Sequence, residues 1–339
     1  MTLPDGVKVS YAYIVDPSAP SGTAEYLSSE ELFGGFASPK PEDAEYAVSA
    51  ETHHWTKPTF AWLAEEKQHL LNRALEEGFD AIFLVDSDLV LGSETLTSLI
   101  TANQPIVSAV FWTRWTPEAP PLPQVWMTHP YEFQGKGKEA HEFLDDIRSR
   151  RLTQVGGLGA CTLIRAEALA KGVGFWPLLD GLPEDGMWQG EDRHFCVRAA
   201  RLHIPLVADP WPEIFHIYRP EDVRRIPSLN PPKEEAAKVG DLVSFILEPC
   251  EEPALAGQRT HVRGRLGAMK LLPGIEEALK VTPPGEDRFL SLRFPLWWKI
   301  PQYRGQKKIV LLRVLGVKEW DLPPTLKEFE GEDPFEAFM

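Results

Sequence analysis

The chain has 339 residues, a net charge of −15 at neutral pH and three cysteines. Apolar residues at 43% and charged residues at 25% are typical of a soluble globular protein. The acidic charge argues against a nucleic-acid groove or an anionic membrane as the main partner, because both favour basic patches. Three dispersed cysteines exclude a disulfide framework and a zinc knuckle.

The first residues and the hydropathy of the chain predict its cellular location. The first residues, MTLPDGVKVS, lack the basic region and apolar core of a signal peptide. No apolar run approaches the roughly 20 residues that a membrane span requires. The sequence therefore predicts a cytoplasmic protein without a transmembrane segment, and it leaves the oligomeric state open.

The first two thirds of the chain alternate between predicted strands and predicted helices. An alternating run rich in β-formers predicts the first strand, and apolar stripes predict the helices. The elements in chain order are a strand over 7–15, a helix over 58–77, a strand over 81–85, a helix over 94–102 with Ser93 as N-cap, a strand over 105–111, a helix over 139–150, a glycine-rich strand over 154–165, helices over 166–171 and from 190 onward, and strands over 206–208 and 214–217. This order is typical of an α/β sheet.

The last third changes character. A polar, proline-rich stretch predicts a linker over 226–238 after a first domain of residues 1–225. Runs separated by Gly and Pro turns then predict a β-rich accessory domain over 239–325, of barrel or sandwich type. Its strands are expected over 239–247, 262–266, 289–294 and 309–317. Residues 326–339 form a predicted acidic tail.

Two carboxylates stand at the end of the strand predicted over 81–85. Asp86 and Asp88 flank Ser87, and a strand that is apolar on both faces places them at the edge of a sheet, where α/β folds bind ligands. Two hard oxygen donors suit Mg²⁺ or Mn²⁺, which commonly bridge carboxylates to phosphates. The same triplet is also consistent with a simple polar turn that closes a strand.

Two later motifs extend this pattern. Glu191 and Asp192 open a predicted helix about a hundred residues after Asp88, and His216 lies on a predicted strand 24 positions beyond Asp192. Together with QVGGLGACTLIR, GEDRHFCVRA and FHIYR, they make residues 7–220 resemble the family-two nucleotide-sugar glycosyltransferases. That resemblance implies a GT-A fold, with a mostly parallel mixed sheet flanked by helices, ahead of the small all-β domain.

The resemblance also implies a function and its residues. It implies a metal-dependent, hexosyl-transferring glycosyltransferase that moves a sugar from a UDP- or GDP-sugar to an acceptor hydroxyl, with inversion as the expected stereochemical outcome. The acceptor could be a glycan, a lipid-linked or small molecule, or a protein. Its implied site consists of the metal ligands Asp86, Asp88 and His216 for Mn²⁺ or Mg²⁺, the donor-binding residues Asp16, Asn72, Asp86, Ser87 and Asp88, the general base Asp192, and the acceptor-positioning Glu191.

Each of these residues also has a structural interpretation. Acids in the first turn of a helix, such as Asp192, are stabilised by the helix dipole, and His216 can be a core histidine with a satisfied hydrogen bond. Leu71 stands where the family often has an Arg before Asn72. Two alternatives for the whole chain stay open: a phosphohydrolase of the haloacid-dehalogenase type, and a sugar- or protein-binding protein without catalytic activity.

Overall fold

The computed structural model of the 339-residue chain describes residues 6–16, 23, 35–36, 40–43, 46–48, 53–116, 121–126, 138–148, 150–178, 190–226, 235–250, 260–296 and 303–318. The chain divides into two compact units. The N-terminal unit contains Met1–His141, Gln154–Pro227 and Gly331–Met339, and the C-terminal unit contains Glu142–Thr153 and Ser228–Glu330. Most of the predicted linker and the whole predicted tail lie outside the described residues.

Six helices and nineteen strands are formed by the described residues. The helices are α1 Lys57–Glu76, α2 Thr95–Ala102, α3 Lys138–Arg148, α4 Ala166–Ala170, α5 Glu191–Arg201 and α6 Ile275–Leu279. The strands are β1 Tyr13–Ile14, β2 Gly35–Phe36, β3 Tyr46–Val48, β4 His53–Trp55, β5 Ala81–Val85, β6 Leu89–Leu91, β7 Ile106–Ala109, β8 Trp112–Thr113, β9 Leu122–Pro123, β10 Val125–Trp126, β11 Thr153–Val155, β12 Gly157–Leu158, β13 Cys161–Arg165, β14 Leu206–Asp209, β15 Ile214–His216, β16 Leu242–Pro249, β17 Thr260–Arg265, β18 Asp287–Arg293 and β19 Lys307–Lys318. A 3₁₀ helix covers Pro220–Arg225.

The main sheet of the N-terminal unit has five strands in the order β11-β14-β7-β13-β5. β7 and β14 are parallel, whereas β13 runs antiparallel to both β7 and β5. The α/β class and the mixed sheet are therefore confirmed, with β5, β7 and β14 running in one direction and β13 in the opposite one.

Several local predictions can be compared with this structure. The helix predicted over 58–77 and the strand over 81–85 are found within one residue of their predicted limits. The strand predicted over 7–15 is wrong in extent, because only Tyr13–Ile14 pairs, with Gly35–Phe36. Ser93 is not the N-cap of α2; Glu94 occupies that position, and Thr95 instead donates to the carbonyl of Gly92.

The C-terminal unit contains a four-stranded antiparallel sheet in the order β17-β16-β19-β18. One face of this sheet packs with α6 around fully buried side chains, among them Phe245, Leu279 and Leu312. The expectation of an all-β unit is wrong because the unit also contains the helix α6. The segment PGIEEAL gives no strand because Gly274 has a left-handed φ of 93°, and Glu277 accepts a hydrogen bond from its N–H in a capping box.

Candidate functional site

A buried lysine lies at the centre of the ionisable residues in the N-terminal unit. Lys67 of α1 donates from Nζ to Glu191 Oε1 at 2.7 Å and to Asp192 Oδ1 at 3.2 Å. Lys67 and Glu191 are each only 6% exposed, and Asp192 is partly exposed. Charges removed from water need partners, so Lys67 and the first turn of α5 hold each other in place.

The burial of this cluster shifts the pKa of its members. Burial raises the pKa of Glu191 to about 7, although Lys67 opposes the shift. Burial alone would lower the pKa of Lys67, but the charges of Asp192, Glu191 and Asp86 outweigh it and hold that pKa well above its ordinary value. Lys67 is therefore a fixed cation among three carboxyl groups.

Asp86 occupies the end of β5, where the sequence predicts it. Its N–H donates to the carbonyl of Ala160, at the start of the neighbouring strand β13. Burial raises the pKa of the Asp86 carboxyl to about 6, while the positive charge of Lys67 lowers it. A cavity of about 20 Å³, lined by Lys67, Asp86 and Asp192 among others, lies beside it and has room for a single water.

Asp88 and His216 form a second pair. β6 and β15 are antiparallel neighbours, and this pairing brings His216 Nε2 to 3.2 Å from Asp88 Oδ2. The other ring nitrogen, Nδ1, is hydrogen-bonded to Thr113 Oγ1 at 2.7 Å, and the ring of Phe111 contacts the imidazole edge-on with centroids 5.0 Å apart. Both nitrogens of His216 are thus satisfied within the chain.

The remaining predicted site residues have partners of other kinds. Asn72 Oδ1 accepts from Gln68 Nε2 at 2.9 Å, and Gln68 in turn accepts from the N–H of Phe175. Asp16 forms an ion pair of 2.8 Å with Lys40. Ser87 is exposed between the two aspartates. No contact tests the site roles assigned to these residues, which stay predictions.

The expectation of a metal-binding protein is corrected by the placement of these groups. In the part of the chain that the structure describes, no three His, Cys, Asp or Glu side chains are grouped so that they could hold a metal ion. The physical reason lies in the pairs just described, since Asp88 contacts His216 while Asp86 lies within the field of Lys67. The identity of a Mn²⁺, Mg²⁺ or sugar-nucleotide cofactor is untested by these contacts and stays a prediction.

Sequence reasoning missed Lys67, Thr113 and Gln68. Lys67 stands four residues after Leu63 and four before Leu71, so it lies on the apolar stripe of α1 rather than on the polar face. A charged residue on such a stripe indicates a buried ion pair, and this pattern was available in the sequence. Thr113 and Gln68 follow no comparable pattern, because their partners come from distant parts of the chain.

The C-terminal unit offers a surface of a different kind. Apolar side chains that are only partly buried surround its core on the face that carries α6, and we call them the apolar rim: Leu247, Val262, Met269, Leu271 and Leu290. Met269 lies against β17 at Gly264, where a Cβ would come within 2.6 Å of its sulfur. A side chain at position 264 would displace the methionine from this position.

Comparison with known proteins yields relatives of one name. Trigger factors from two strains of Xanthomonas campestris pv. campestris, B100 and ATCC 33913, are each 35% identical to this chain over 105 residues, which is 29% of this chain and 23% of theirs. The Trigger factor of Xanthomonas euvesicatoria pv. vesicatoria is 33% identical over 105 residues. The chain thus spans about a quarter of the length of the curated relatives it matches. No protein-family model matches the chain.

These relatives overturn the predicted family, activity and enzyme class. They are named Trigger factor, a chaperone, and not glycosyltransferase. The alternatives of a phosphohydrolase and of a sugar- or protein-binding protein on a glycosyltransferase fold do not match either. Asp-x-Asp, Gly-Glu-Asp and a late His are short patterns, and here their side chains pair with Lys67, Thr113 and one another. These contacts give each of the side chains a partner within the chain.

None of the helices among the described residues is both long enough and apolar enough to cross a membrane.

Proposed function

We propose that this chain binds unfolded polypeptides as a chaperone and catalyses cis–trans isomerisation of their X-Pro bonds through its C-terminal unit. The observation that carries the proposal is the 35% identity with Trigger factors over 105 residues. We place the activity in the C-terminal unit because partly buried apolar side chains surround its core. Such partners, including chains still being synthesised on ribosomes, would place the protein in the cytoplasm.

The chemistry asks little of the protein beyond an apolar surface. An X-Pro bond isomerises slowly, over tens to hundreds of seconds, because rotation breaks the resonance of the amide. The twisted amide is less polar than the planar one, so transfer from water to an apolar surface favours the twisted state. No acid, base or metal is required for this step.

The apolar rim supplies a surface of this kind. Leu271 lies two residues before Pro273, in the segment that leads into α6, and Leu290 lies on β18, a strand that α6 contacts. Met269 adds a flexible, polarizable side chain, which suits binding to proline rings in varied sequence contexts. We therefore assign the rim as the place where the X-Pro segment binds.

The test is a refolding experiment with the full chain. Catalytic amounts should accelerate the proline-limited refolding phase of an unfolded substrate protein, without changing its proline-independent phases. Leu271→Gln together with Met269→Gln should reduce the acceleration about tenfold, since two apolar contacts are lost. Val281→Gln changes a side chain of the same unit that is already 56% exposed, and it serves as the matched control.

Refolding rates that stay unchanged up to an equimolar amount of the chain would contradict isomerisation. Equal rates for the rim variant and the wild type, with acceleration intact, would contradict the assignment of the rim. Circular dichroism of each variant verifies that the unit remains folded.

A further inference from the structure

The second face of the C-terminal sheet, which points away from α6, carries exposed apolar side chains. Successive residues of a strand point to opposite faces, so Phe289 and Ser291 of β18 and Ile309 and Leu311 of β19 share the face opposite the core. We call this face the outer face. Leu292, Val310 and Leu312, which alternate with them, are buried in the core.

Strand register gathers these side chains into one patch. Phe289 lies directly opposite Leu311, and Ser291 lies opposite Ile309. Phe289 is 71% exposed and Ile309 is 42% exposed. A single exposed apolar residue is ordinary, but three neighbours on one face form a patch of the type found at interaction sites.

The patch lies at the edge of the sheet. β18 is the last strand in the order β17-β16-β19-β18, and no strand among the described residues pairs with its free side. Its seven residues, Asp287–Arg293, leave backbone N–H and C=O groups along that side. Exposed edges of this kind accept an additional strand from another polypeptide.

Charge at one end of the patch selects the occupant. Arg293 and Lys307 are exposed and lie directly opposite each other in the register. Like charges in this position repel, so an acidic group from a partner relieves the repulsion. At the other end, Asp287 and Arg313 neutralise each other through two hydrogen bonds of 2.8 and 2.7 Å.

The charge of the unit agrees with this local feature. Residues 142–153 and 228–330 contain 19 Lys and Arg against 17 Asp and Glu, a net charge of +2. The rest of the chain contains the remaining 16 basic and 33 acidic residues, a net charge of −17. The acidity of the whole chain therefore does not extend to the unit that carries the outer face.

We propose that the outer face binds an extended, acidic polypeptide segment that adds as a strand to β18. An apolar side chain of the segment packs on Phe289, and an acidic side chain of the same parity lies beside Arg293, where it offsets the repulsion between Arg293 and Lys307. This surface goes beyond the proposed function, because it lies on the opposite face from the apolar rim and requires neither proline nor isomerisation.

The test uses the full chain and a labelled peptide without proline, Glu-Thr-Val-Thr-Val-Thr-Glu, which places Val and Glu on one face of a strand. Fluorescence anisotropy should show saturable binding, with a Kd about fivefold lower than for the same peptide with Lys in place of Glu. Phe289→Ser should raise the Kd about tenfold, because the bound segment no longer covers the Phe289 ring. Arg293→Glu combined with Lys307→Glu should reverse the preference between the two peptides, whereas Lys270→Glu, the control, should leave it unchanged.

Three outcomes would overturn the proposal. The first is equal binding of the Glu and Lys peptides. The second is an unchanged Kd for Phe289→Ser, together with an unchanged preference for the Glu peptide in the variant that combines Arg293→Glu with Lys307→Glu. The third is a dimer in sedimentation that Phe289→Ser abolishes, which would assign the outer face to a second copy of the chain. Failure of the isomerase proposal is recognised separately, since it shows in refolding rates while peptide binding to the outer face persists.

Discussion

The two units of this chain differ in the kind of side chain that they bury. The N-terminal unit encloses Lys67 with Glu191 and Asp192 and places Asp86 beside them, so charged groups occupy part of its interior. The C-terminal unit packs α6 onto one sheet face around Phe245, and its most exposed aromatic side chain in the described strands is Phe289 on the other face.

This contrast indicates which forces hold each unit. A buried ionic cluster specifies its geometry but adds little net stability, because desolvation offsets the Coulomb attraction. An apolar core gains stability in proportion to the area removed from water. The N-terminal unit should therefore respond to pH and to charge removal, and the C-terminal unit to loss of side-chain volume.

The largest effect is expected from a cavity in the C-terminal core. Phe245→Ala should lower the free energy of unfolding of this unit by about 3–5 kcal/mol, since it removes a fully buried ring. Hydrogen exchange with mass spectrometry measures the loss in peptides from β16 and β19. Phe289→Ala is the control: the same change at a 71% exposed site should alter stability by less than about 0.5 kcal/mol. Similar losses of unfolding free energy from Phe245→Ala and Phe289→Ala would contradict the difference between the buried and the exposed face of the sheet.

Removal of the buried cation should have the next largest effect. Lys67→Met leaves Glu191 and Asp192 without their partner and should destabilise the N-terminal unit by about 3 kcal/mol. Hydrogen exchange in peptides from α1 and α5 measures this loss of stability. Adding Glu191→Gln should recover part of the loss, because one uncompensated charge is removed. A stable Lys67→Met protein with unchanged exchange would show that the cluster does not hold α1 to α5.

The smallest effect is a dependence on pH. The folded-state pKa of Asp86 is raised to about 6 from an ordinary value of 3.8, so the folded protein binds the proton more tightly than the unfolded chain does. Stability contributed by this group is present below pH 4 and is lost as the pH rises through 6, by about 2–3 kcal/mol in total.

Asp86→Asn should therefore reduce the pH dependence of hydrogen exchange in the N-terminal unit between pH 4 and 6, and the dependence that remains belongs to Glu191, whose pKa is raised to about 7. Asp287 in the C-terminal unit, which forms an exposed ion pair with Arg313, supplies the control variant. Asp287→Asn leaves the slope of the N-terminal unit unaltered. A slope in Asp86→Asn equal to that of the wild type would contradict the contribution of Asp86.

Local patterns in the sequence predicted many elements with near-correct limits. The apolar stripe ended by Gly78 gave α1, and the apolar run before Asp86 gave β5. Both depend on residues close in sequence. The glycosyltransferase interpretation went wrong because it rested on short motifs whose side chains are satisfied by partners far along the chain, such as Thr113 with His216.

Local sequence patterns are enough to predict the α/β alternation, the strand end at Asp86 and the change to a β-rich C-terminal unit, because each depends on hydropathy period and turn residues within a few positions. Three features are visible only in the folded chain: the antiparallel insertion of β13, the position of Lys67 among three carboxylates, and the patch formed by Phe289 with Ile309 and Leu311. Strand order and burial arise from contacts between residues distant in the chain, and a local pattern carries no record of which strand will lie beside it.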